Sequence, residues 1–161
     1  DSLINDSINA AVSQVESYTA LDLQSKTFVA YFDTIEVQAY SPIEIWKYPI
    51  TEITSVKYLD INGTETTISA SDYSTDISNC PARILLTNVP VSKLNTFNTF
   101  RVYFTCGFTN RDEVPAELVD WVKKFTADSF NIRQSVFTGV PVNITPYDYR
   151  QALDKYRKDV R

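Results

Sequence analysis

The sequence predicts an α+β fold: two amphipathic helices flanking a β-rich antiparallel insert, with a short C-terminal helical tail. Three observations predict it. Apolar residues recur at three- and four-residue spacing near both ends of the chain. They recur at two-residue spacing between roughly Thr27 and Phe108. Ten Tyr, nine Phe and two Trp against three Gly favour pleated, half-buried surfaces. With 161 residues, 43% hydrophobic and 22% charged, the chain has an ordinary globular composition. A chain of this length buries about 70% of its unfolded surface in one core, so folding needs neither disulfide nor metal.

The first helix, expected over 3–19, is drawn by Leu3, Ile4, Ile8, Ala11, Val12, Val15 and Tyr18, with Asn5, Asp6, Asn9, Gln14 and Glu16 between them. Asp1 and Ser2 are N-cap types. From Thr27 the period becomes two: Phe28, Ala30 and Phe32 share one face, Val29 and Tyr31 the other, and Ile35 and Val37 follow. Pro42 to Tyr48 is a second short strand. Pro49 either bends the chain or opens an edge strand, because it cannot donate to a ladder. Ile53 to Leu59 and Glu65 to Ile68 flank Asn62-Gly63, the strongest local signal in the chain: a β-hairpin, with both turn residues expected at positive φ in a type I′ turn. Asp72-Tyr73, Arg83 to Thr87 and Arg101 to Cys106 are further extended pieces, with a loop over Asn88 to Asn98.

Pro115 suits a first helical turn, where its missing N–H would have been unpaired anyway. Leu118, Val119, Val122, Phe125, Ser129 and Ile132 give the second helix, expected over 115–134, an inward stripe, and Trp121 beside it is expected to pack on the sheet. Thr138 to Pro146 reads as a linker. Tyr149, Ala152, Leu153, Tyr156 and Val160 mark a terminal helix with one apolar face, which either docks on a partner or packs back on its own domain. The expected organisation is a domain over 1–138 (helix 3–19, β region 27–108, helix 115–134) followed by linker and tail over 139–161.

Composition excludes much chemistry. With no histidine, Ser-His-Asp and Cys-His catalysis and the usual transition-metal ligand sets are unavailable. Three glycines, Gly63, Gly107 and Gly139, cannot build a dinucleotide fingerprint or a Walker loop. Carboxylate pairs remain: Asp33 with Glu36, Asp72 with Asp76, and Asp112 with Glu113, all at strand ends or loops, where solvated turn residues are the ordinary reading. Asp72 to Asp76 is only a faint echo of a calcium loop. Cys80 and Cys106 are expected to be buried small apolar residues, with one disulfide as the alternative. No run of about 18 apolar residues is present, so no membrane span is expected. The sequence opens at Asp1 without a signal-peptide pattern, and an upstream segment is expected to be missing or processed.

A net charge of −5 argues against general binding to a phosphate backbone, which needs clustered Lys and Arg. An acidic surface can still line a passage through which DNA slides without sticking. Charge is uneven: Arg150, Lys155, Arg157, Lys158 and Arg161 outnumber Asp148, Asp154 and Asp159 over the last stretch, so the tail is +2 and the remainder −7. That basic run is either a solvated helix face or a binding surface.

Taken in order, several landmarks carry a resemblance. Val15-Glu16-Ser17-Tyr18-Thr19 ends the first helix. Pro49 to Asp60, containing Ser55-Val56-Lys57-Tyr58-Leu59-Asp60, leads to Gly63 and then Asp72-Tyr73. Arg101 to Phe108 ends in Gly107-Phe108, and Val114-Pro115-Ala116-Glu117-Leu118 opens the second helix. The set resembles the head-tail connector (adaptor, or head-completion) proteins of tailed bacteriophages over nearly the whole chain. The chain departs from them in two ways: the start at Asp1 would truncate a short helical segment that usually precedes the first helix, and Thr19-Ala20 stands where many members have Thr-Gly.

The resemblance implies a structural virion protein, not an enzyme, without cofactor or metal. It implies a homo-oligomeric ring, commonly a dodecamer, at the virion head-tail junction and assembled in the host cytoplasm. Its partners would be the portal protein and a stopper or tail-completion protein, with genomic DNA passing through the channel unbound. The expected portal contacts are Tyr149, Leu153, Tyr156, Arg157, Lys158 and Val160. Ring or tail contacts are expected at Tyr58, Asn62, Gly63 and Glu65, on a hairpin that could equally be an internal sheet element. The competing class is a β-rich carbohydrate- or protein-binding module of a virion or cell surface using Trp46 and Tyr48; more distant is an enzyme using Asp72 and Asp76.

Overall fold

The computed structural model describes residues 2–33, 41–92, 96–135 and 153–157. It has the α+β architecture expected. In chain order come α1 (Ser2–Thr19), β1 (Lys26–Phe32), β2 (Ile43–Ile45), β3 (Ile50–Leu59), β4 (Glu65–Thr67), β5 (Tyr73–Asp76), β6 (Ala82–Leu86), β7 (Phe100–Cys106) and α2 (Ala116–Ser135), with single 3-10 turns at Ala70–Asp72 and Arg111–Glu113. Two compact units result. One holds Gln24–Phe108; the other joins the chain up to Leu23 to the described residues from Thr109 onward.

In the helical unit, α1 and α2 pack on each other. Only part of the α1 stripe is covered: Ala11, Val15 and Thr19 are buried, whereas Leu3 is 51%, Ile4 46% and Ile8 38% exposed. Among the described side chains of α2, Leu118 and Trp121 are the buried ones, so Trp121 belongs to the inward stripe itself; it stacks on Phe125 with centroids 5.1 Å apart. The carbonyl of Pro115 accepts the first helical bonds, from the N–H groups of Leu118 and Val119. Just before it, the Glu113 carboxylate accepts from the Thr109 and Asn110 N–H groups and from the Asn110 amide, which satisfies donors that a chain reversal would strand.

The end of α1 explains a departure noted in the sequence. Ala20 donates to the Glu16 carbonyl at 2.9 Å and has φ +58, the left-handed position that follows many helices and favours glycine. Holding alanine there costs about 1–2 kcal/mol. Ala20→Gly should therefore raise stability by about 0.5–1 kcal/mol after the greater flexibility of the unfolded glycine chain is allowed for, read as a higher urea midpoint at unchanged slope.

The β unit is two antiparallel sheets, a four-stranded one in the order β1-β7-β3-β4 and a three-stranded one in the order β2-β6-β5. Ile43, Ile45, Ala82, Ile84 and Leu86 from the small sheet share one buried cluster with Val56, Phe100, Val102, Phe104 and Cys106 from the large one. The inner faces therefore meet and the other faces point outward. Strand β7 alternates strictly, with Phe100, Val102, Phe104 and Cys106 inward and Arg101, Tyr103 and Thr105 outward. Phe28 stacks on Phe104 and Tyr58 on Phe100.

Two strand expectations change. Pro49 does not open an edge strand: β3 lies between β7 and β4, and Pro49 stands just outside it, its carbonyl accepting from Gly107 N–H at 2.8 Å. The hairpin is present, with Leu59 opposite Glu65, but its turn is not type I′. Of the Asn62-Gly63 pair only Gly63 has positive φ, +84. Gly63 N–H bonds the Asp60 carbonyl, Asp60 N–H bonds the Thr64 carbonyl, and the Asp60 carboxylate accepts from Asn62 and Thr64 N–H at 2.8 Å each. This is a three-residue loop closed by a left-handed glycine, selected by the Asp60 side chain. Ile35 and Val37 lie outside the described residues.

Candidate functional site

Two surfaces collect the residues singled out in the sequence. The first is the C-terminal segment 153–157, one turn closed by Tyr156 N–H on the Leu153 carbonyl and Arg157 N–H on the Asp154 carbonyl. It is clasped by its own helical unit. Leu153 is 2% exposed. The Tyr156 hydroxyl donates to Glu117 at 2.9 Å, and Lys155 forms an ion pair with the same carboxylate. The Tyr18 hydroxyl donates to Asp154, and the Arg157 guanidinium lies 5.9 Å from the centre of the Tyr18 ring. Lys155 and then Tyr156 hold the Glu117 carboxyl below its ordinary range, and Glu117 in turn raises Lys155.

Of the six expected portal contacts, Leu153, Tyr156 and Arg157 come together here, the first two turned onto the chain itself and Arg157 exposed. Tyr149, Lys158 and Val160 lie outside the described residues, as does the expected linker. The receiving residues, Tyr18 and Glu117, were not expected as contacts. Their signal was present all the same: both lie inside ordered landmarks, one closing α1 and the other in the first turn of α2.

The second surface is the hairpin with the outer face of the four-stranded sheet. Tyr58 and Glu65 do not share a face: Tyr58 is half-buried against the core, whereas Glu65 points outward. Asn62 and Gly63 are exposed at the tip. Glu65 accepts from Lys57 at 2.7 Å and from Arg101 at 2.5 Å. Lys57 also lies 4.8 Å from the Tyr103 ring centre and Arg101 5.8 Å from that of Tyr31, so both cations are held over aromatic faces. Lys57 and Arg101 depress the Glu65 carboxyl, and Glu65 raises Lys57.

Of the paired carboxylates, Asp76, Asp33 and Glu113 hold structural bonds, and Glu36 lies outside the described residues. Asp76 bonds Arg83 at 2.6 Å and caps Ser78 N–H, and Asp33 accepts from Asn98 N–H at 2.7 Å. Among the described residues no group of three or more Asp, Glu or Cys could hold a metal ion, and no helix is long and apolar enough to cross a membrane. Trp46 and Tyr48 are half-buried; Cys106 packs in the β core and Cys80 is half-buried.

The depressed carboxylates set the acid limb of stability. Asp76, Glu65, Glu113 and Glu117 all have folded pKa values below their ordinary ones. The unfolded chain therefore binds more protons, and their stabilisation, present above the ordinary carboxylate range, is lost as pH falls through the folded values. The melting temperature should fall steadily from pH 5 to pH 3, about these groups' ordinary titration range, and Glu65→Gln should flatten the fall.

No family model and no curated protein matches the chain. Solved structures do. The chain is similar, over 100% of its own length in each case, to a component of the virion of a native gene transfer agent (GTA) particle, with TM-score 0.76, 20% identity and 79% of that chain covered. It is similar to a component of the neck of a native GTA particle computed with C12 symmetry, at 0.74, 20% and 84%. A third likeness is to the neck of an empty GTA particle computed with C6 symmetry, at 0.73, 21% and 80%. The likeness establishes that the chain shares their fold.

Proposed function

We propose that the chain is a structural subunit of the neck of a phage-like particle: a connector, or adaptor, that forms a ring between the portal and a stopper or tail protein and passes DNA. One observation carries this reading, the likeness along the entire chain to virion and neck components of GTA particles, with TM-scores from 0.73 to 0.76. The ordered landmarks agree with it. So does an acidic net charge of −5, which suits a channel that DNA crosses without adhering.

In this reading Tyr149, Leu153, Tyr156, Arg157, Lys158 and Val160 meet the portal. Leu153 and Tyr156 are engaged by the helical unit, so docking exchanges an intramolecular clasp for contacts with the partner. The exposed hairpin tip, Asn62 and Gly63, offers a contact to a neighbouring ring subunit or tail protein, braced by Tyr58 inside and Glu65 outside.

Particles produced without this chain test the proposal. DNA-filled heads and finished tails should accumulate unjoined, and adding the purified protein should restore joining. Normal tailed particles in its absence would rule the neck role out.

A further inference from the structure

The β unit presents two outer sheet faces with opposite local charge. On the four-stranded face Lys57 and Arg101 share the single carboxylate of Glu65, which leaves one positive charge in excess. Glu52, also on this face, is opposite Thr105, about 13 Å along β7 from Arg101. On the three-stranded face the register sets Glu44 opposite Arg83 and Arg83 opposite Asp76. One guanidinium there stands between two carboxylates and leaves one negative charge in excess.

Among the described residues both faces carry accessible side chains. Tyr31 is 53% exposed, Arg101, Tyr103 and Lys57 are half-buried, and on the other sheet Glu44 and Arg83 are exposed with Leu85 half-buried beside them. Because the inner faces share one core, the outer faces look away from each other. A contact between one face and the opposite face of the next copy is therefore head-to-tail, the kind that closes rings. Either face placed against itself would oppose like charges. The four-stranded face also carries the Tyr and Arg side chains in which interfaces are enriched. Its two cations are already seated over Tyr31 and Tyr103, which lowers the cost of ordering them on contact.

We infer that neighbouring copies of this chain stack through the β unit, the Tyr31, Lys57, Arg101 and Tyr103 face of one copy meeting the Glu44, Asp76 and Leu85 face of the next. This rests on the ring reading above and names the surface that makes the ring.

Lys57→Glu and Glu44→Lys should each weaken self-association about tenfold or more by setting like charges against each other, and the double variant should restore it. Sedimentation velocity reads the effect, with circular dichroism confirming the fold of each variant. Independently of any substitution, a carbodiimide should link Lys57 of one copy to Glu44 or Asp76 of another in a mixture of isotopically light and heavy chains. Oligomers whose mixed links map elsewhere, or a double variant no better than the singles, would overturn this interface and leave the ring intact. A chain that stays monomeric at every concentration, both alone and on heads that lack it, would overturn both.

Discussion

Gly107→Ala should destabilise the protein by about 3–5 kcal/mol, among the largest effects any single substitution here can have. Gly107 has φ +107, which an alanine adopts only under strain, and a Cβ there would stand 2.1 Å from the Gln24 carbonyl oxygen and 2.5 Å from its carbon. Neither side can yield. Gly107 N–H is bonded to the Pro49 carbonyl at 2.8 Å, and next to it Cys106 pairs with Lys26 and Ile50 on the two flanking strands. Relief would require pulling β1 and β3 from β7 at the end of the sheet. Urea unfolding of the variant reads the loss directly; a midpoint within experimental error of the unchanged protein would refute the packing described at Gly107.

On the proposed neck role, removing the residues after Pro146 should abolish attachment to the portal protein, a loss of about a hundredfold or more for a segment proposed to anchor the chain. The structure adds a second effect. Leu153 is 2% exposed and Tyr156 and Asp154 bond Glu117 and Tyr18, so truncation also opens the helical unit, costing about 2–5 kcal/mol if Leu153 behaves as other buried leucines do on truncation. Arg157→Glu with Lys158→Glu separates the two effects. It spares Leu153 and should lower portal binding at least tenfold, about the cost of one disrupted charged contact, with little change in unfolding midpoint. Full binding by the charge-reversed chain would move the portal contact elsewhere.

Local chemistry was the legible part of this sequence. The apolar run Arg101 to Cys106 marked β7, though not which of its sides is buried, and Asn62-Gly63 marked the hairpin. The turn type was not legible from that pair because the Asp60 carboxylate decides it, bonding both Asn62 and Thr64 N–H. Nor was the division into two sheets. Strand period says which residues share a face but not which distant strand completes the ladder, and β1 pairs with β7 across the whole β unit. The clasp on Leu153 to Arg157 was hidden for the same reason: Tyr18 and Glu117 are adjacent to it only once α1 and α2 pack together. Ala20 shows the converse. An alanine in place of glycine at a helix end was visible as a departure, and its left-handed φ gives that departure a physical cost.

The most direct test of the neck reading is to image the purified chain, alone and mixed with portal protein, by electron microscopy with native mass measurement of the same samples. Closed rings seated coaxially on the portal, with a mass that is a multiple of the 18.3 kDa chain, are the expected result. A chain that remains a monomer and leaves the portal bare would contradict it.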